Sequence, residues 1–487
     1  MNDVPKEAIA VVALLQHEGF EAHLVGGCVR DILMGRTPKD WDVTTNATPD
    51  DIVRIFPNTF YENDYGTVGV VNDETTDPKL KVIEVTPYRI EGKYSDKRHP
   101  DSVTFAKNLS DDLKRRDFTM NAIAYDPISG TFSDPHKGAK DIEQKIIRTV
   151  GEAGERFAED ALRIMRAVRF SAELDFELDK ATETAIRELG DTLKDIAKER
   201  IGDEFTKLIM SPRPRKGVEM FYELGILKHI VPELEEGINV KQNQAHTFPV
   251  FEHIVRTLQA AADKGATLDV RLAALFHDIG KPATKAFNEK NDDWSFHGHD
   301  MVGAKIAKHR LRELRYGNDV VDTVVKLVRW HMFFSDTEQI THSAVRRLIS
   351  NVGTDNVENI LLLRVCDRIG TGRPKEQPYR LRKYKAMIEE VLRDPVSVSM
   401  LAVKGADIME KLDEKPGRRI GWILNALLEI VLDDPTQNTS EILITRAKEL
   451  ATLPEPELKK LGEAAKETRE AIEAEEIGKI RSKYHVE

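Results

Sequence analysis

In the segment VGGCVRDILMGRTPKDWDVTT, Asp40 and Asp42 stand two residues apart in a run that reads as a strand. A strand sends alternate side chains to one face, so both carboxylates would point the same way. Paired carboxylates suit hard divalent cations, and Mg²⁺ takes one or two of them together with substrate phosphates. Two such ions could activate an attacking hydroxyl and stabilise a leaving pyrophosphate. Upstream, Gly26 and Gly27 carry no side chain, so backbone N–H groups can approach phosphate oxygens, and Arg30 adds a cation where a helix begins. A lone D-x-D is common on surface loops; one preceded by a Gly-Gly turn that opens a helix is far more specific.

A second concentration of charge is EDALRIMRAVRF, residues 159–170. Read as one amphipathic helix, it turns Leu162, Ile164, Met165 and Val168 to an apolar face, while Glu159, Arg163 and Arg166 share another side. On spacing alone a solvated ladder would explain it, because Glu159 and Arg163 stand at i,i+4.

The elements that must position these groups fall into two styles. Up to about residue 150, strand-like runs (EAHLV, DWDVTT, TVGVV, KVIEVTPYR, NAIAYDP) alternate with turns, which predicts a mixed α/β unit. Beyond it, long helical periodicities broken by SPRPRKG and EQPY predict an all-α body. The 487 residues suffice for roughly three domains. No apolar run approaches the length of a membrane span, and the N-terminus has no secretion-signal pattern. Cys28 and Cys366 are the two cysteines, which suits a reducing cytoplasm better than a disulfide framework. A net charge of −11 counts against a general nucleic-acid coat but leaves room for local basic patches. Such patches are TGRPKEQPYRLRKYKAM, with Arg373, Lys375, Arg380, Arg382 and Lys383 beside Tyr379 and Tyr384, and SPRPRKG, with Arg213, Arg215 and Lys216.

The ordered motifs LVGGCVRD, KDWDV, RRDFTMNAIAYD, SDPHKGAKDI, EDALRIMRAVRF and KERIGDEFTKL resemble those of the class II tRNA nucleotidyltransferases. That family, with the related bacterial poly(A) polymerases, belongs to the polymerase-β-like superfamily. The resemblance implies an α+β fold: a nucleotidyltransferase head (1–150), an elongated helical neck with the nucleotide-selecting helix (151–235), and a helical tail gripping tRNA (391–451). It implies catalytic Mg²⁺ on Asp40 and Asp42 with Glu84 as the third acid, Arg116 facing the triphosphate, and Asp117 and Asn121 near the sugar. Asp160 and Arg163 match the pair that reads the incoming base, with Glu159 and Arg166 holding that pair. A carboxylate accepts and a guanidinium donates, which fits the amino group and bare ring nitrogen of cytosine and adenine. The segment 89–103 resembles the loop that the family uses in switching from C to A. The reading is therefore a cytoplasmic tRNA nucleotidyltransferase using CTP and ATP, with no membrane partner. A-adding-only and poly(A)-polymerase specialists are the nearer alternatives. The residues do not specify an oligomeric state.

A further series, VFEHIVRT, LFHDIGKP, FHGHDMVGA, VRWHM and VCDRIG, resembles the HD phosphohydrolase superfamily, over 236–390. It implies a metal site of His253, His277, Asp278 and Asp367, with His299 and His331 for a second metal or the phosphate, and Lys281 as a phosphate contact. Imidazoles mixed with carboxylates suit Mn²⁺, Fe²⁺, Ni²⁺ or Mg²⁺. Some relatives with this domain hydrolyse 2′-phosphates or 2′,3′-cyclic phosphates. A chain whose head is an inactive RNA-binding platform is the competing reading of another class. The stretch 452–487, with almost no apolar face, reads as an exposed helix or disordered tail.

Overall fold

Short β-branched runs separated by glycine- and proline-bearing turns form one mixed sheet in the N-terminal part of the chain. The computed structural model describes residues 4–62, 66–92, 103–244, 246–290, 292–333, 341–373, 376, 378–392 and 397–461. It divides into two units, Met1–Pro232 and Glu233–Glu487. No helix among the described residues is long and apolar enough to cross a membrane.

The sheet of the first unit contains β1 (Ala22–Val25), β2 (Asp42–Thr45), β3 (Thr59–Tyr61), β4 (Val68–Val71), β5 (Val82–Pro87), β6 (Ala124–Asp126) and β7 (Thr131–Ser133). Their spatial order is β3-β4-β5-β2-β1-β6-β7. β2 and β5 run parallel, with Asp42 opposite Glu84, and their alternate residues Val43 and Val85 are fully buried. The strand period of two thus sends one face into the core and leaves the acids on the other. After a first helix, α1 (Lys6–His17), α2 (Gly27–Leu33) starts directly after β1, where Gly26 takes φ +80°, a conformation glycine adopts without strain. Four more helices of this unit bear on the site: α3 (Leu109–Lys114), α4 (Ala153–Glu159), α5 (Leu162–Leu174) and α6 (Lys198–Ile209).

Two local expectations are corrected. β2 begins at Asp42, so Asp40 lies in the bend before the strand; Pro38, lacking an N–H, cannot extend the ladder that way. The segment 159–170 is also broken: α4 ends at Glu159 and Asp160 is extended, at φ −141° and ψ 104°. The Asp160 carboxylate accepts from the backbone N–H of Leu162 (3.0 Å), a local bond that competes with helix continuation.

In the second unit, α7 (Val250–Asp263), α8 (Leu268–Phe276), α9 (Lys281–Thr284), α10 (His299–Glu313), α11 (Asn318–Trp330) and α12 (Val357–Gly370) surround a polar cluster. A hairpin of β8 (Ala286–Asn288) and β9 (Asp293–Ser295) connects α9 to α10. Two glycines permit the close approaches. A Cβ on Gly370 would fall 2.1 Å from the Thr257 hydroxyl, and one on Gly280 would fall 2.3 Å from the His299 carbonyl.

Beyond these helices, residues 455–461 are helical with Leu458 fully buried, so the stretch after 452 does carry an apolar contact. Its remainder, and positions 93–102 of the loop-like segment, lie outside the described residues; the ends of that segment pair as Arg89–Glu91 with Val103–Phe105.

Candidate functional site

The carboxylates of the first unit gather by strand register. Glu84 faces Asp42 across β2–β5, and Asp40 comes near both from the preceding bend. Burial first, then the negative charges of Asp40 and Glu84, push the Asp42 carboxyl up to about 7, with Arg116 opposing. Burial, Glu62 and Asp40 raise Glu84 likewise. An acidic set that resists its own ionisation fits a hard divalent cation, which would supply the missing positive charge. The fit is loose: among the described residues these three carboxylates do not form a group of donor atoms all within 4.8 Å.

Beside them, a Cβ on Gly26 would lie 3.3 Å from Arg116 Nη1 and 3.4 Å from Asp42 Oδ2, so the glycine keeps a floor open between cation and acid. Arg116 is aimed by Asp112, a fully buried acid that also accepts from Arg115 and Thr44. Arg30 is buried and donates to Asp31 and Asn121 (2.9 Å), so it braces the Gly-Gly turn from within. Asn121 in turn donates to Asp117 (3.2 Å), and Arg166 forks onto Asp117 at 2.9 and 2.6 Å. Burial opposes ionisation of Asp117, but Arg166 and Arg163 overcome it and hold the carboxyl down at about 2.

The backbone N–H of Arg163 donates to the Asp160 carbonyl (3.0 Å), yet the two side chains are held by different partners. Arg200, from α6, grips both Asp160 oxygens at 3.3 and 2.8 Å. Glu159 accepts from Arg163 Nη1 at 2.6 Å and also pairs with Arg156. Arg166 serves Asp117 instead of the Asp160–Arg163 pair, contrary to the expectation from sequence. Reasoning from sequence also missed Asp112 and Arg200; Arg200 lies within KERIGDEFTKL, a motif quoted without assigning its residues.

In the second unit, His277, His299 and His331 each donate from Nδ1 to the carbonyl three residues back, at 2.8, 2.6 and 2.7 Å. A carbonyl only accepts, so the neutral rings must present bare Nε2 atoms inward. Those atoms converge: His253 Nε2 to His277 Nε2 is 3.0 Å, and His299 Nε2 to His331 Nε2 is 3.3 Å. Two ligands about 2.1 Å from one ion at a right angle are ~3.0 Å apart, so the spacing fits shared cations. Asp278 faces His253 and His277 with Oδ2 (3.1 and 3.3 Å) and His299 and His331 with Oδ1 (3.3 and 3.6 Å). Asp367 completes the first set, 3.3 Å from His253, and accepts from Arg364. Burial opposes a charge on His253, but hydrogen bonds to Asp278 and Asp367 push it up to about 9. Lys281 bonds Asp278 (2.5 Å), Gln242 (2.7 Å) and His246 (3.4 Å), so its three donors are already engaged. Gln242 and His246 were not singled out from sequence.

The basic patches are less free than they read. Arg213, Arg215 and Lys216 pair with Asp175, Glu219 and Glu177. Arg380, Arg382 and Lys383 lie on the helix Tyr379–Val391, and Arg373 precedes it; Lys375 lies outside the described residues. Tyr379 is 66% exposed, whereas Tyr384 is buried and stacks on Phe333, which removes it from any RNA platform.

Family models match in three places: the poly A polymerase head domain over residues 22–148, the probable RNA and SrmB-binding site of polymerase A over 175–238, and the HD domain over 250–371. A Geobacillus stearothermophilus CCA-adding enzyme is 46% identical over 439 residues, 90% of this chain and 95% of that protein. For a Geobacillus thermodenitrificans CCA-adding enzyme the figures are 43% over 283 residues, 58% of this chain and 65% of that protein. Among solved structures, the Bacillus stearothermophilus CCA-adding enzyme in complex with CTP aligns with a TM-score of 0.69 at 30% identity. The alignment covers 92% of this chain and 97% of that one.

Proposed function

This chain belongs to the CCA-adding enzyme family, and we propose that it adds C, C and A in turn to tRNA 3′ ends from CTP and ATP. In each addition the RNA 3′-oxygen bonds to the α-phosphorus, the α–β anhydride bond breaks, and pyrophosphate leaves. The observation that carries this reading is the register Asp42–Glu84 beside the open Gly26 floor, with Arg116 aimed at the same spot.

Asp40 and Asp42, with Glu84, would hold Mg²⁺, which supplies positive charge for the attacking and departing oxygens. Arg116 faces the triphosphate. Asp117, kept ionised by Arg166, accepts from a ribose hydroxyl, with Asn121 beside it. Asp160 accepts from the amino group of cytosine or adenine and Arg163 donates to the unprotonated ring nitrogen. Uracil or guanine would bring a carbonyl to Asp160 and a ring N–H to Arg163, leaving buried groups unpaired at roughly 1–3 kcal/mol each. Arg200 and Glu159 hold the two side chains in place before a base arrives. The basic residues of the Tyr379–Val391 helix are proposed to meet tRNA phosphates.

A second activity is favoured by the imidazole–carboxylate cluster, which we propose is a phosphohydrolase site for 2′-phosphates or 2′,3′-cyclic phosphates. Mn²⁺, Fe²⁺, Ni²⁺ or Mg²⁺ would be held by His253, His277, Asp278 and Asp367, with His299 and His331 on the other side of Asp278. The bound ion supplies an acidified water at neutral pH.

The test is single-nucleotide primer extension with Mg²⁺ on tRNAs ending before CCA, after C or after CC, each given CTP, ATP or both. Ordered addition that stops at CCA is expected. Extension of the CC-ending tRNA alone, with one A, would make the chain an A-adding specialist, and runs of A would make it a poly(A) polymerase. No extension at all would leave the head as an RNA-binding platform.

A further inference from the structure

We propose that the β8–β9 hairpin is a nucleobase-stacking subsite of the imidazole–carboxylate cluster, so that the phosphate handled there is carried by a nucleoside. The inference rests on the phosphohydrolase reading of that cluster and names what its substrate must contain. The hairpin joins the two segments that deliver cluster residues, Asp278–Lys281 on one side and His299 on the other. It is tied down at both ends. The backbone N–H of Gln244 donates to Asp293 (3.0 Å), two residues from the Gln242 that holds Lys281. The Phe296 carbonyl accepts from His299 Nδ1.

A column of rings and cations leads outward from the cluster. Lys281 Nζ lies 5.6 Å from the Phe296 ring centre. Trp294 stands two residues before Phe296, with Lys285 Nζ 4.0 Å over its ring. Phe287 is the cross-strand partner of Trp294; their rings are 5.1 Å apart at 74°, and Phe287 stays 50% exposed. Holding the hairpin together would account for the pair, but not for a half-exposed Phe287 ring beside a Trp294 that carries Lys285 over its face. Exposed aromatics stack on any base, and an adjacent cation suits the phosphate that a base carries.

The proposal is tested on the full chain loaded with Mn²⁺, using adenosine 2′,3′-cyclic phosphate and glycerol 1,2-cyclic phosphate, which has the same cyclic ester without a base. Phe287→Leu keeps an apolar partner for Trp294 but removes the stacking face. It is expected to raise KM for the adenosine ester roughly tenfold, with kcat and both constants for the glycerol ester unchanged. Phe287→Tyr is expected to restore the wild-type KM. Equal losses on both esters, or no change on either, would overturn the proposal. An RNA 3′ end and a free nucleotide carry the same chemistry; repeating the comparison on an RNA ending in the cyclic phosphate tells them apart. If the wild type hydrolyses neither ester, the phosphohydrolase reading fails by itself. The subsite is then decided by equilibrium dialysis of adenosine 2′-phosphate: weaker binding to Phe287→Leu than to the wild type supports it, and equal binding overturns it.

Discussion

The two acidic centres of this chain solve the problem of holding a cation in opposite ways. In the first unit, three carboxylates meet on an open sheet face without closing on one another, and burial with mutual repulsion raises the Asp42 carboxyl to about 7. In the second, donor atoms lie within 4.8 Å in three overlapping groups, and Asp278 is held well below the usual carboxylate range despite its burial. The neighbouring His277 and the Lys281 ammonium outweigh desolvation there. The difference follows from the ligands. Backbone carbonyls fix three of the imidazoles in place, with their Nε2 atoms turned toward Asp278. Carboxylates alone must wait for a cation and for the phosphates of a substrate to complete them, which suits a site that releases its product each cycle.

The largest effects should separate the two centres cleanly. Asp42→Ala is expected to lower CTP incorporation on the order of 10³-fold or more, because it removes a proposed metal ligand from the reacting centre. Its metal content at the second cluster should stay unchanged by elemental analysis. Asp278→Ala should do the reverse. Among the described residues it removes the one carboxylate facing both imidazole pairs, so metal affinity should fall at least about 100-fold while CTP incorporation is kept. Loss of both activities in either variant would mean that the centres are not independent.

The contrast also has a sign in stability. The raised Asp42 carboxyl is protonated in the fold when the unfolded chain, near the ordinary value of 3.8, has already ionised. Its destabilising effect is therefore absent below about pH 4, grows as pH rises, and is complete above about 7. In metal-free protein, Asp42→Asn should raise thermal stability at pH 8, by at most about 4 kcal/mol from the shift, and the gain should vanish by pH 4. Asp278 has the opposite sign: its depressed carboxyl stabilises the fold above about pH 4. Asp278→Asn should accordingly lower stability at pH 8. Equal effects of the two substitutions would erase the distinction between the centres.

How legible all this was depended on whether a residue's role is local. The Gly-Gly turn, Asp42, the strand of Glu84 and the His-Asp series announce themselves through spacing within a motif. Gly280 and Gly370, which let the helices around the second cluster close up, sit inside HDIG and RIG. What spacing could not show were partners supplied from afar. Asp160 and Arg200 are 40 residues apart, and Lys281 reaches Gln242 across 39. The break at Asp160 was hidden for a related reason. Apolar periodicity runs on through 159–170, but a carboxylate bonding the N–H of Leu162 overrides it. Tyr384 failed as an RNA contact because composition does not say which ring of a basic helix faces the core.

The smallest expected effect is the one that isolates pre-organisation. Arg200 holds Asp160 with two nitrogens, and a planar fork fixes the plane of the carboxylate. Lysine would keep the charge but offer a single point, so Arg200→Lys tests geometry without removing the ion pair. Asp160 is expected to swing, and its oxygens would then discriminate less sharply between an amino group and a carbonyl. The ratio of CTP to UTP incorporation should fall roughly fivefold, with little change in the KM for tRNA or in thermal stability. Discrimination that survives Arg200→Lys would assign base selection to charge alone. A matching loss of stability would reduce Arg200 to a packing contact between α6 and the break at Asp160.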